Sequence, residues 1–287
     1  MSPSALPPPH QFLLVGHYCH DAIVAKDGTI RLELGGGPAH ASAVLSALGA
    51  DFHVVAKVGD DFRYGDLAPR LPRVVRGLPT TVFIDDYRGA ERVSTVVAAA
   101  PPIDPGDLGD ASCRIGMALG IAAEIGPATL ARLRELAEIA VGDAQAFVRH
   151  VDPAGRVEVG PPEPSLRAQI DRLDWLKLSR SEAKALDPSS LRCGAIVTDG
   201  ERGCVLLQDG REIRVPAFEA REVDPTGAGD CFLAGFAAGL WRGWDPARAA
   251  LFGNFCGALA VAQHGIPRLT PEDLAAFDRA AKQRRTP

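Results

Sequence analysis

Short β-rich runs alternate with helix-period segments along most of this 287-residue chain. That alternation confines it to βαβ units built around a mainly parallel sheet, an α/β fold with helices on both faces. Phe12 to Gly16 reads as the first strand, Phe52 to Val58 as the next, and Ala195 to Thr198 as a strong later one. Three glycines, Gly35 to Gly37, open an Ala/Leu-rich helix from about Pro38 to Leu48. Pro38 suits the first helical turn, where its missing N–H is no loss. A helix over Pro127–Ile139 leads to strands near Ala140 and over Leu173–Leu178, and the C-terminal part reads as helices Ala228–Trp241, Asp245–Gln263 and Pro271–Arg284.

Some strands lack a crossover helix. Alternating runs on either side of Asp27-Gly28 read as a β-hairpin, as do those around Asp209-Gly210. Thr80–Ile84 and Arg92–Ala98 flank the turn-like Tyr87-Arg88-Gly89. The segments 22–34 and 79–99 are therefore expected to pair as a small separate β-sheet, a lid on one domain running from 11 to 287. Residues 1–10, with four prolines, read as a disordered tail.

Composition closes off several classes. With 46% hydrophobic and 23% charged residues the chain can bury a full core without disulfides or a structural metal. A net charge of −5, with both signs interspersed, gives no basic stripe for nucleic acid or an anionic membrane. The six cysteines are scattered, with no CxxC pair, and read as reduced thiols. No apolar run approaches the ~20 residues of a membrane span. The opening MSPSALPPPH lacks a positive n-region, an apolar h-region and any Arg, so the cytoplasm is the expected compartment.

The chemistry concentrates in Val223–Leu240, VDPTGAGDCFLAGFAAGL. Gly227-Ala228-Gly229 has almost no side chain and precedes an apolar helix, so free N–H groups and the positive end of the helix dipole make an anion site for a phosphoryl group. Asp230 in the first turn would repel that ligand unless its task is to take a proton from an attacking hydroxyl. The plainer alternative is that Asp224, Thr226 and Asp230 merely cap the helix. A dinucleotide fingerprint is disfavoured, because its glycines should follow the first strand near the N-terminus.

The run DPTGAGDCFLAGF resembles the C-terminal signature of the ribokinase, or phosphofructokinase B type, family of sugar and nucleoside kinases. LGGGPAHASAVLSALGA resembles that family's N-terminal glycine-pair segment, and KVGDDFRYG its turn after the second core strand. WLKLSRSEA is similar to its K-P-N-x-x-E segment, and IVTDGERGCVLL to its T-x-G-x-x-G nucleotide segment. These segments keep the family's order between residues 12 and 268. Within the family, VGHYCHD, KVGDDFRY, GDAQAFVR and VDPTGAGD resemble the myo-inositol kinases of plants, which feed inositol phosphate and phytate synthesis.

The resemblance implies a ribokinase-like fold and a kinase with Mg²⁺ and ATP as phosphoryl donor. Asp230 matches the catalytic base, and Gly227, Ala228 and Gly229 the anion hole. Asp224 falls near a monovalent-cation loop, which would take K⁺. Glu182 matches the Glu that orders Mg²⁺ through water, its alternative being a solvated helix-start carboxylate. Ser179 stands where the motif has Asn and Leu178 where it has Pro, which weakens the donor contacts on that side. Thr198, Gly200 and Gly203 would meet ATP phosphates, although a plain β-turn explains the glycines equally well. Asn254 matches a position near the adenine, or makes a helix-face hydrogen bond.

On the substrate side, Asp21 matches the acidic residue that grips hydroxyls, and a carboxylate can accept two such bonds at once. Gly35 and Gly36 would let substrate lie against the backbone. His40 replaces the Asn of many family sugar kinases, and Arg149 would reach the pocket rim or form a surface salt bridge. His17 and His20 read as structural or pocket-lining. The expected partners are a small polyol, most of all myo-inositol, and ATP, with the chain monomeric or homodimeric. A kinase for another sugar or a nucleoside, and a catalytically inactive member serving as an interaction subunit, stay open as alternatives.

Overall fold

The strand His10–Val15 has Phe12 and Leu14 in one core cluster and Leu13 and Val15 in another. A strand buried on both faces belongs in the middle of a parallel sheet covered by helices. It lies there in the computed structural model, which describes residues 10–90 and 92–283. The eight-stranded sheet runs in the order Arg211–Val215, Cys204–Gln208, Gly194–Thr198, Trp175–Ser179, Ala137–Asp143, Cys113–Ala118, His10–Val15 and Phe52–Val55. The six strands from Gly194–Thr198 onward are parallel; the first two are antiparallel and close one edge.

Chain order reverses at His10–Val15, which pairs with Phe52–Val55 on one side and Cys113–Ala118 on the other. That reversal opens a crevice beyond the carboxyl ends of the first strand and Cys113–Ala118, the place where open α/β sheets bind ligands. One face carries the helices Gly37–Ala47, Ala228–Trp241 and Pro246–Val261, and the other carries Pro127–Leu136. Ala228–Trp241 and Pro246–Val261 pack at backbone distance: a Cβ at Gly239 would lie 2.7 Å from Ala249 Cα.

The small sheet has four strands, ordered Ile30–Gly35, Cys19–Val24, Thr81–Asp86, Val93–Ala98. Its hairpin turns at Asp27-Gly28, where Gly28 takes φ 84° and Asp27 Oδ1 accepts the Thr29 N–H. Cys19–Val24 and Thr81–Asp86 run parallel, so the two halves join side by side.

Several boundaries differ from the sequence reading. The helix from Pro127 stops at Leu136 because Ala137 already pairs with Cys113 in the sheet. The last helix breaks at Ala276 into Pro271–Ala275 and Phe277–Gln283. The strand from Phe52 is interrupted at Ala56, and the hairpin strands begin at Cys19 and end at Gly35 rather than spanning 22–34. Cys113–Ala118 and the hairpin Arg149–Val151 with Val157–Val159 were not foreseen. His10 belongs to the first strand; the rest of the expected tail, and Arg284 at the end of the expected last helix, lie outside the described residues. Among the described residues no helix is long and apolar enough to cross a membrane.

The contact at Gly239 gives a packing test. Gly239→Val should lower the unfolding free energy by about 1–3 kcal/mol through overpacking. Urea denaturation would read this, and a variant as stable as wild type would show that the two helices are not so tightly apposed.

Candidate active site

Asp230 is in the first turn of Ala228–Trp241, beyond a left-handed Gly227 at φ 74°. A Cβ on Gly37 would lie 2.7 Å from Asp230 Oδ1 and 2.8 Å from Leu119 O. Leu119 directly follows the strand Cys113–Ala118, so the carboxylate stands over the crevice at the chain reversal. The glycine segment and the DPTGAGD loop, nearly two hundred residues apart, meet there. Gln145 Nε2 donates to Asp230 Oδ1 at 3.3 Å.

Behind Asp230 lies a buried group of charges. Asp143 and Lys177 are register partners on adjacent parallel strands, and Lys177 Nζ is 2.9 Å from Asp143 Oδ2. A Cβ on Gly229 would come within 2.7 Å of the same Nζ, so that glycine is needed for the anion loop to close on the ammonium. Burial alone would pull Lys177 down, but Asp143 and Glu182 outweigh it and hold it above its ordinary value. Burial pushes the Asp143 carboxyl up to about 6 against the pull of Lys177. Asp230 is raised as well, by burial foremost, with Lys177 and Arg149 opposing. A carboxylate held above its ordinary range is a better proton acceptor.

Glu182 is buried at the start of a short helix, where its Oε2 accepts the Ser179 N–H at 2.7 Å. Burial would raise it, yet Lys177, the Ser179 N–H and Arg149 hold it below the usual carboxylate range, so it stays ionised. Arg149 therefore lies close enough to Glu182 and Asp230 for its charge to act on both. Among the described residues no group of three or more His, Cys, Asp or Glu side chains is arranged to hold a bare metal ion. One ionised carboxylate beside a phosphate loop fits Mg²⁺, which keeps several waters and is held by one or two carboxylates plus substrate phosphates.

The substrate-side residues come together around His40. Its ring packs on Gly227, where a Cβ would clash at 1.8 Å, and its Nδ1 is 3.3 Å from Gly36 O. With Nδ1–H donating to that carbonyl, Nε2 is left buried without a partner, as is Thr226 Oγ1 one residue before Gly227. Orphaned buried polar atoms are costly unless a ligand meets them. Burial holds His40 below its ordinary value, so the ring is neutral. Asp21 lies over Gly35, where any side chain would strike its carboxylate, and accepts the Cys19 thiol at 3.0 Å. Burial pushes Asp21 up to about 6.

The donor-side residues are more dispersed. Thr198 ends its strand and donates to Leu178 O at 3.2 Å, ahead of the turn Gly200–Arg202 and Gly203. Ser179 pairs with Thr198 in register, its Oγ 2.9 Å from Ser181 Oγ. Asn254 is tied down, its Nδ2 donating to Val215 O and Pro216 O, so its amide braces the sheet edge instead of pointing into open space. A cavity of about 650 Å³ lies beyond that edge and includes Val215, Arg248 and Phe277 but none of the carboxylates just described. His17, whose ring bonds Pro101 O and the Lys57 N–H, is structural, and His20 stacks on Phe62.

A family model described as pfkB family carbohydrate kinase matches residues 159–272. Inositol 3-kinase of Oryza sativa subsp. japonica is 42% identical over 283 residues, covering 92% of this chain and 71% of the relative. The chain belongs to the pfkB family of carbohydrate kinases. Inositol 3-kinase of Arabidopsis thaliana is 38% identical to this family member, over 91% of this chain and 76% of the relative. Its fold is that of a pyrophosphate-dependent kinase in the ribokinase family complexed with a pyrophosphate analog and myo-inositol (TM-score 0.77, 22% identity, 92% of this chain and 99% of that one). The ribokinase of Thermotoga maritima is similar too (TM-score 0.71, 20% identity, 94% and 99%).

Lys177, Asp143 and Gln145 escaped the sequence reading, although a signal existed for one of them. Lys177 is a lone charge inside the apolar run WLKL, and a charge there needs a buried partner.

Two tests follow from these charges. Lys177→Met leaves Asp143 and Glu182 without their cation and should cost about 3–5 kcal/mol of stability, measured by denaturant unfolding; a cost under about 1 kcal/mol would dissolve the cluster. Asp21 binds its proton more tightly folded than unfolded, so its contribution is full below its unfolded value near 3.8 and is lost as pH rises through about 6. Asp21→Asn should remove that loss and gain about 1–3 kcal/mol at pH 7. Equal stability of the two proteins from pH 4 to 7 would contradict the burial of this charge.

Proposed function

We propose that this pfkB-family kinase transfers the γ-phosphoryl group of ATP to a hydroxyl of myo-inositol, giving a myo-inositol monophosphate. The observation that carries the chemistry is Asp230, raised in its proton affinity and set over the crevice beside the Gly227–Gly229 loop. Asp230 takes the proton of the attacking hydroxyl, the oxygen bonds to the γ-phosphorus in line, and the bond to the β-γ bridging oxygen breaks to release ADP. The N–H groups at the start of Ala228–Trp241 hold the charge that develops on the phosphoryl oxygens. Mg²⁺, held through water by Glu182, would neutralise the β- and γ-oxygens. The small sheet closes over the substrate and keeps water, a competing acceptor, away.

The substrate reading is supported by the chemistry of the pocket and by the relatives. Asp21 would accept hydroxyls and the free Nε2 of His40 another, while the space beside Gly35 is taken by the Asp21 carboxylate and that beside Gly36 by the His17 backbone, so these glycines make room for the pocket's own groups rather than for substrate. These acceptors suit an uncharged polyol. The inositol 3-kinases of rice and Arabidopsis match this chain over nine-tenths of its length. With Asp230, the glycine loop and Glu182 all intact, a catalytically inactive subunit is disfavoured.

The test is ADP release with Mg²⁺ and ATP across inositols, pentoses, hexoses and nucleosides, with pyrophosphate as an alternative donor. Myo-inositol should exceed ribose, fructose and adenosine by at least about tenfold in kcat/KM, since sites built on hydroxyl partners reject analogues strongly. A furanose sugar or nucleoside that beats it would overturn the substrate, and turnover with pyrophosphate alone would overturn the donor. Asp230→Asn should keep ATP binding and lower kcat by about 10²–10⁴. EDTA should abolish activity and Mg²⁺ restore it.

A further inference from the structure

A monovalent-cation loop at Asp224 asks for a carboxylate whose charge is unmet, and that of Asp224 is already met by a guanidinium. The residue is buried, and its Oδ1 accepts the Thr226 N–H at 2.9 Å. Its Oδ2 accepts Arg31 Nη2 at 2.8 Å, and His264 Nδ1 stands 3.5 Å from the same oxygen. The donors already present are a guanidinium, an imidazole and an amide, a set that repels or excludes a cation rather than completing a shell for one.

The guanidinium is itself held in place. Arg31 Nε donates to Glu33 Oε1 at 2.9 Å, and a Cβ on Gly265 would come within 3.1 Å of Glu33 Oε2. Arg31 and Glu33, on one face of the strand Ile30–Gly35, thus reach both the Asp224 loop and the turn after Pro246–Val261. Those two segments are also joined directly, because the Val223 and Asp224 N–H groups both donate to Val261 O, at 2.7 and 3.1 Å.

We infer that Arg31 supplies, as a built-in side chain, the positive charge that K⁺ would bring to this loop, so the enzyme works without a monovalent cation. The electrostatic requirement is one positive charge on Asp224, to keep a buried carboxylate from opposing the anion received at Gly227–Gly229. Arginine meets it permanently, since its guanidinium is always protonated and its planar fork suits a carboxylate. The origin of the charge has a consequence. Arg31 belongs to the small sheet, paired with Ile23 two residues from Asp21. The donor loop is therefore neutralised only while the sheet that carries the substrate-gripping carboxylate is seated, so closure over the polyol and charge balance at the donor loop are one event.

The experiment compares KCl with choline chloride at about 0.1 M each, so that screening of surface charge is matched. Two properties are read on the full chain: the rate of ADP release and the melting temperature. The rate arm rests on the kinase activity proposed above; the melting arm does not, and stands even if myo-inositol is not the substrate. For wild type the rates in the two salts should agree within about twofold, well under the roughly 5–150-fold of ordinary effector coupling, with no rise in melting temperature in KCl. Arg31→Ala should lose rate in choline chloride, regain it several-fold in KCl or guanidinium at low concentration, and melt higher in KCl than in choline chloride. A wild type activated about fivefold or more by K⁺, or stabilised by it, would overturn the inference, as would an Arg31→Ala variant equally active in both salts at the wild-type rate. Should the variant fail to fold, the two wild-type measurements decide alone.

Discussion

The site is organised by one ammonium group. Lys177 enters the carboxyl end of the sheet directly opposite Asp143, and its charge is also felt by Glu182 and Asp230. Buried ions are expensive to desolvate, so such a group persists only where each charge is compensated by geometry. One ammonium against three carboxylates, with Arg149 to one side, leaves the cluster electron-rich. That imbalance accounts for the different behaviour of its members. Glu182, bonded to the Ser179 N–H, stays ionised, while Asp143 and Asp230 are pushed toward protonation. Asp230 and Glu182, proposed as base and metal-facing carboxylate, thus acquire distinct properties from a shared environment, which is how neighbouring acids come to serve different roles.

Topology supplies the other half of the arrangement. Because the chain reverses direction at His10–Val15, the carboxyl end of Cys113–Ala118 and the start of the helix Gly37–Ala47 converge on one crevice. Gly37 and Gly229 are small for a common reason: one lies against the Asp230 carboxylate and the other against the Lys177 ammonium. A side chain at either position would displace a charge that the chemistry needs, so the glycines here serve close approach more than backbone freedom.

How much of this was legible in the chain depends on the range of the interaction. The βα alternation and the Asp27-Gly28 turn are local, and they located the central strands other than Cys113–Ala118, the small hairpin and the helix carrying Asp230. The resemblance of DPTGAGD to a kinase signature pointed to the pfkB family, and the roles it implies for Asp230 and the Gly227–Gly229 loop are carried into the proposed function. What stayed hidden depends on pairing between distant segments. The Asp143–Lys177 contact is set by parallel register across some thirty residues, and the end of the helix at Leu136 is set by pairing of Ala137 with Cys113. Arg31 lies within the expected hairpin run 22–34, where nothing local marks it out, and only the fold brings it to Asp224. Asn254 shows the reverse case, a position chosen by resemblance whose amide turns out to brace the sheet edge.

The Asp21 and His40 side, proposed to take the polyol, carries groups that cost the protein stability. Asp21 is buried and accepts the Cys19 thiol, and His40 keeps Nε2 unpaired. Each is a cost to the empty enzyme that an apolar residue would avoid. In the proposed reaction a substrate presenting several hydroxyls would satisfy both groups at once, so the free energy withheld from folding would reappear as binding. A substrate missing one hydroxyl leaves a buried acceptor bare, which turns the same cost into discrimination. The two sides are joined through one hairpin, since the strand opposite Asp21 carries the arginine that neutralises the donor loop. Selectivity for the acceptor and readiness of the donor site therefore depend on a single rigid unit, and neither is complete until that hairpin is in place.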